Sequence, residues 1–117
     1  MVTHILNGSN EELAEAYQTL SGSDRERVFT ELYARLRMPL LGFICQRVTD
    51  KDDACHVVNV AFIRSLAAFS PTREGTFRGL LYRVARNYAF DLMRARRAEQ
   101  LLVAEYHDAQ VRVTAQV

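Results

Sequence analysis

From Gly75 to Arg97 apolar residues recur at three- and four-residue intervals, and arginines recur at similar intervals on the opposite side, a double pattern that fits a helix. At about 100° per residue, Phe77, Leu80, Leu81, Val84, Ala85, Tyr88, Leu92 and Ala95 form one stripe, the side expected to dock on a bundle. Arg83, Arg86, Arg94 and Arg97 gather on the other side, with Phe90 among them and Tyr82 and Met93 at its edge. Solubility asks only for charge, whereas nucleic acid asks for phosphate neutralisation and stacking surfaces together. The face is therefore a candidate for nucleic-acid binding, with a solvated charged face as the bland alternative.

The rest of the chain reads as helices that could build the bundle. Ser9-Asn-Glu-Glu12 has capping-box spacing and opens a short helix carrying Leu13, Ala16, Tyr17 and Leu20, which Ser21-Gly22 ends. Ser23-Asp-Arg-Glu26 repeats the signal ahead of Val28, Phe29, Leu32, Tyr33, Leu36, Leu40, Phe43, Ile44 and Val48. Pro39 lies inside that run, so a kink or two shorter helices are expected. Asp50 or Asp52 caps a third helix with the stripe Ala54, Val57, Val58, Ala61, Phe62, Leu66 and Phe69. The proline and glycine of Ser70 to Gly75 predict a loop, and Thr76 is the N-cap of the arginine helix. The expected fold is all-α, a single compact bundle of about four helices over residues 1–97. Residues 98–117 form a tail that starts helically and then alternates Val111, Val113, Ala115 and Val117 like a strand.

A chain of 117 residues leaves no room for a second ordinary domain. Its net charge of +1 conceals an uneven distribution: residues 1–53 hold nine acids and six bases, residues 73–97 seven arginines and two acids. No window is apolar enough for a membrane span and no signal pattern opens the chain, so a cytoplasmic setting with Cys45 and Cys55 reduced is expected. Cys45, Cys55 and His56 match no zinc spacing, and no nucleophilic triad or phosphate loop is present. Neither an enzyme, a metal nor a cofactor is expected.

With the helices placed, the residues resemble region 2 of bacterial RNA polymerase sigma factors, of the extracytoplasmic-function group. Leu32-Tyr-Ala-Arg-Leu-Arg-Met-Pro-Leu-Leu-Gly-Phe43 looks like that family's first long helix, including its proline. Asp50-Lys-Asp-Asp-Ala54 with Val58, Phe62, Ile63 and Arg64 is similar to its second block. Phe77-Arg-Gly-Leu-Leu-Tyr-Arg-Val-Ala-Arg-Asn87, with Asp91 and Arg94, is the closest match. The resemblance implies transcription initiation, through core RNA polymerase and single-stranded −10 promoter DNA. It implies a base pocket near Ser70 to Thr76 and a helix that tracks the backbone. The DNA-binding set becomes Arg73, Thr76, Arg78, Arg83, Arg86, Asn87, Phe90, Arg94 and Arg97, with the arginines at 83, 86, 94 and 97 on phosphates and Asn87 and Phe90 on bases. Asn87 and Asp91 could instead bond each other.

The polymerase set implied is Asp53, His56, Asn59, Val60 and Arg64, against the clamp helices of the largest subunit. Family members usually carry Asp, Gln and Glu where this chain has His56, Asn59 and Val60, so a polar acidic contact has become nearly neutral and weaker polymerase binding is expected. The family's second, helix-turn-helix domain has no counterpart in these residues. The alternative is a stand-alone sigma-fold module that acts through protein–protein contacts. Val57, Val60 and the apolar tail would then meet a second copy, as a homodimer, or an anti-sigma-type regulator.

Overall fold

The computed structural model describes residues 2–72 and 75–116, with Arg73 and Glu74 outside the described residues. Five helices follow in order: α1 (Val2–Leu6), α2 (Asn10–Thr19), α3 (Gly22–Cys45), α4 (Lys51–Ala68) and α5 (Phe77–Gln116). No strand occurs among the described residues. α3, α4 and the first part of α5 form the bundle, with α4 packed along both others and α2 lying across α3. The sequence pattern predicts all but α1.

Three of the four predicted caps form, at α2, α4 and α5, where short polar side chains meet free backbone N–H groups. Ser9 and Glu12 exchange the two bonds of a capping box at α2. Asp50, rather than Asp52, starts α4 by accepting the Asp53 N–H at 2.9 Å. Thr76 Oγ1 accepts the Gly79 N–H at 3.0 Å, and Glu11 of α2 reaches across to accept the Phe77 N–H at 2.8 Å, which fastens the start of α5 to the bundle. α3 begins ahead of its Ser23 signal: its N-cap is Ser21, two residues earlier, and no side-chain cap bond forms there. Gly22 takes φ +61, open to a residue without Cβ, and lets the chain reverse from α2 through Leu20 and Ser21. α3 then runs through Pro39 as one helix, not two, with Pro39 exposed between buried Leu36 and Leu40.

Two long side chains close helix ends that the sequence left open. Gln18 Nε2 donates to the carbonyls of Leu66 (2.9 Å) and Phe69 (2.7 Å), capping the last turn of α4. The Arg35 guanidinium donates to the carbonyls of Leu6 (2.7 Å) and Gly8 (2.8 Å), tying α1 to α3. Inside, Val28, Leu32, Leu40 and Ile44 of α3 meet Val57, Val58, Phe62 and Leu66 of α4 and Phe77 and Leu81 of α5, all fully buried.

The α5 stripe is turned from its predicted position. Ala89, absent from the prediction, is buried, while Ala95 is exposed. The core contact ends near Leu92 because α3 ends and α4 begins there; Arg96 of α5 already meets Asp53 in the first turn of α4. Beyond it the predicted strand-like tail is helical. α5 spans 40 residues in all, and its part beyond the bundle is an exposed rod, so the molecule measures 75 × 29 × 22 Å. Its radius of gyration is 20.0 Å, against about 13 Å for a compact chain of this length. The compact bundle is thus one part of an elongated molecule.

Candidate nucleic-acid interface

Position in the helix puts the arginine face where the bundle cannot cover it. Arg78, Tyr82, Arg86, Phe90, Met93 and Arg97 follow at four- and three-residue steps along α5, so three cations and three apolar or aromatic groups share one line. Phe90 is 63% exposed, a ring held in water with no core to join. Arg94 lies 5.1 Å from its centre and also donates to Asp91 at 3.2 Å. Asp91 therefore bonds Arg94, one turn on, rather than Asn87.

α3 completes the surface. Arg47, in the turn after α3, donates to the Phe43 carbonyl at 3.0 Å and lies 3.9 Å over the Phe43 ring. The Phe43 ring packs on Tyr82 at 5.0 Å, and Arg78 lies 5.2 Å from Tyr82. Arg78, Tyr82, Phe43 and Arg47 thus form a cation–aromatic ladder from the start of α5 to the end of α3, each guanidinium held by a ring rather than by an acid. Beside it opens a cleft of about 440 Å³ lined by Arg47, Arg86, Ala89, Phe90, Met93, Arg94 and Arg97. Its floor is apolar and its rim is guanidinium. Arg47 is missing from the sequence-based set because it lies in the turn after α3, some forty residues away; its only sequence signal is its place four residues after Phe43.

The other predicted DNA residues fall as follows. Arg83 and Asn87 are exposed beside this line. Thr76 spends a hydroxyl lone pair on its own helix, and Arg73 lies outside the described residues.

The predicted polymerase set divides. Asp53 is held between helices: Arg96 donates to both its oxygens, at 2.9 and 3.2 Å. That hydrogen-bonded pair holds the Asp53 carboxyl below the usual carboxylate range against the opposing effect of burial, and keeps Arg96 charged. His56 is exposed, with Nε2 3.0 Å from the Tyr88 hydroxyl, and Arg64 stacks over the same Tyr88 ring at 4.8 Å. Asn59 Oδ1 accepts from Tyr33 Oη at 2.8 Å, and Tyr33 Oη accepts from Arg37 at 2.8 Å. Val60 is half-buried rather than surface-facing, and Val57, expected in an apolar contact patch, is fully buried against the core. The exposed apolar group on this side of α4 is Ile63, at 65%. Among the described residues no three histidine, cysteine or acidic side chains gather in a metal-binding group.

The chain is thus an all-helical bundle with a cation–aromatic face on its last helix and a polar face on the preceding one. The family follows from comparison with known proteins: the family model described as Sigma-70 region 2 matches residues 29–99, and the chain belongs to that family. The matched segment contains most of α3, all of α4 and the bundled part of α5, and so the whole interface. Comparison with curated proteins returns no match, and comparison with solved structures returns none. Among the described residues no helix is long and apolar enough to cross a membrane.

Proposed function

We propose that the chain is a sigma-factor-like transcription-initiation protein of the extracytoplasmic-function type, non-enzymatic and cytoplasmic, that holds single-stranded −10 promoter DNA on α5. The observation that carries this reading is the cleft in which four arginines surround exposed Phe90. Arg47, Arg86, Arg94 and Arg97 neutralise phosphates, and Phe90 and Tyr82 offer faces on which any base stacks. Loss of counterions from the strand then supplies most of the affinity, which makes binding salt-dependent. Reversing Arg86 and Arg94 to Glu should flatten the slope of log K against log salt by roughly 0.7 per lost single-strand contact. An unchanged slope, measured by fluorescence anisotropy on a short oligonucleotide, would move the DNA elsewhere.

Core polymerase would meet the outer side of α4 through its clamp helices, and weakly. His56 and Asn59 stand where the family carries acidic or amide groups, Val60 is half-buried, and Asp53 is paired with Arg96. Such a surface lacks the charge that steers an encounter. A second reading, an interaction module without promoter function, is favoured by the exposure of Ile63 beside these residues. Titrating a clamp-helix fragment separates the two: measurable binding that His56→Asp with Asn59→Gln strengthens supports the polymerase reading, and no binding by either protein supports the module.

A further inference from the structure

The helical rod beyond the bundle carries an apolar seam of its own. Leu102, Tyr106, Ala109 and Val113 follow at steps of four, three and four, in phase with the core-facing Leu81, Ala85, Tyr88 and Leu92. Glu99 interrupts the line, its carboxylate 3.5 Å from Arg96, so the two stretches are separate. Leu102, Tyr106 and Val113 are 67, 68 and 60% exposed. A seam at heptad spacing needs a second helix to exclude water from it.

We propose that this seam pairs antiparallel with the same segment of a second copy of the chain. The charges beside it select the partner and the register. When Leu102 faces the partner's Val113 and Tyr106 faces the partner's Ala109, each layer sets a large side chain against a smaller one. The flanking Glu105 then falls beside the partner's Arg112, and two-fold symmetry forms that ion pair twice. Sliding the helices by one heptad layer brings Glu105 against the partner's Glu105. A parallel pair sets Glu105 against the partner's Gln110 and stacks Ala109 on Ala109, which leaves a void. Opposite charge and complementary size therefore agree on one arrangement.

The pairing leaves the DNA face free. Arg86, Phe90, Arg94 and Arg97 lie on the side of α5 away from the seam, as do Leu101 and Val111, which take no part. At 1.5 Å rise per residue the two Phe90 rings would stand about 50 Å apart, at the two ends of an antiparallel rod. Two strands, or two stretches of one strand, could be held at once.

Sedimentation equilibrium of the full chain tests this. The expected mass at high concentration is twice the 13.4 kDa of one chain, falling towards one chain on dilution. Leu102→Asp with Tyr106→Asp should leave a monomer whose bundle melts as before. Arg112→Glu should weaken the dimer roughly tenfold, because two exposed attractions become repulsions, and adding Glu105→Arg should restore it. A native chain that stays monomeric, a dimer indifferent to Leu102→Asp, or a charge swap that rescues nothing would each overturn the proposal.

Discussion

The two halves of α5 share one helix and one spacing, yet they live in different solvents. Leu81 and Ala85 are fully buried, while Leu102 and Tyr106, on the same line of the helix, are among the most exposed apolar groups in the molecule. Nothing in the local pattern separates them. The difference is that α3 ends and α4 begins beside Leu92 and Arg96, so the first half has neighbours and the second has none. A hydrophobic stripe states a demand for a partner; only the surrounding elements say whether this chain supplies it.

That contrast can be broken most sharply by cutting the same group from each half. Leu81→Ala should cost about 2–5 kcal/mol in a denaturant titration, the usual loss for a buried leucine. Leu102→Ala, measured at a dilution where chains are single, should change the unfolding free energy by less than about 0.5 kcal/mol. Equal costs would mean that the rod packs on the bundle in solution.

The exposed aromatic in the bundled half offers a second, smaller contrast, between burial and binding. Phe90→Ala should leave stability near its native value and reduce single-stranded DNA affinity by about 1–3 kcal/mol, the cost of one lost stacked base. A loss of stability without loss of binding would return Phe90 to a packing role.

The smallest effect belongs to the joint between the halves, where Asp53 meets Arg96. A carboxyl held below its ordinary range in the folded chain adds stability that is fully present above its unfolded pKa of about 4 and lost as pH falls through the lowered folded value. Asp53→Asn should remove that contribution, lowering stability slightly at pH 7–8, where the surface pair is screened by water, and not at all below the folded pKa, where both side chains are neutral. Thermal melts of both proteins across the acid range would show converging curves; parallel curves would mean that Asp53 carries no such linkage.

Much of the bundle was legible because its signals are local. The capping box at Ser9, the Asp50 and Thr76 caps, and the stripes of α3 and α4 each depend on residues within a turn or two. The arginine face was legible for the same reason, and the family match over residues 29–99 lies close to the stretch that the resemblance picked out. What escaped involves distance along the chain. Arg47 joins the face from the turn after α3, Arg35 and Gln18 cap helices they do not belong to, and Asp53 turns to Arg96. Ala89 escaped because an alanine near a stripe edge looks alike on either side. The alternating valines after Tyr106 suggested a strand, but no second strand lies beside them to satisfy its backbone, whereas a helix closes its own hydrogen bonds.

The sequence by itself determined an all-helical bundle, where most of its helices start, and a last helix with one apolar and one cationic side, since backbone preference and side-chain period act over a few residues. Tertiary structure alone decided which apolar stripe becomes core, which acid is consumed by an ion pair, and that Arg47 and Phe43 extend the arginine face into a cleft. Those outcomes depend on which elements end beside one another, and that is set by the packing of the whole bundle rather than by any segment of it.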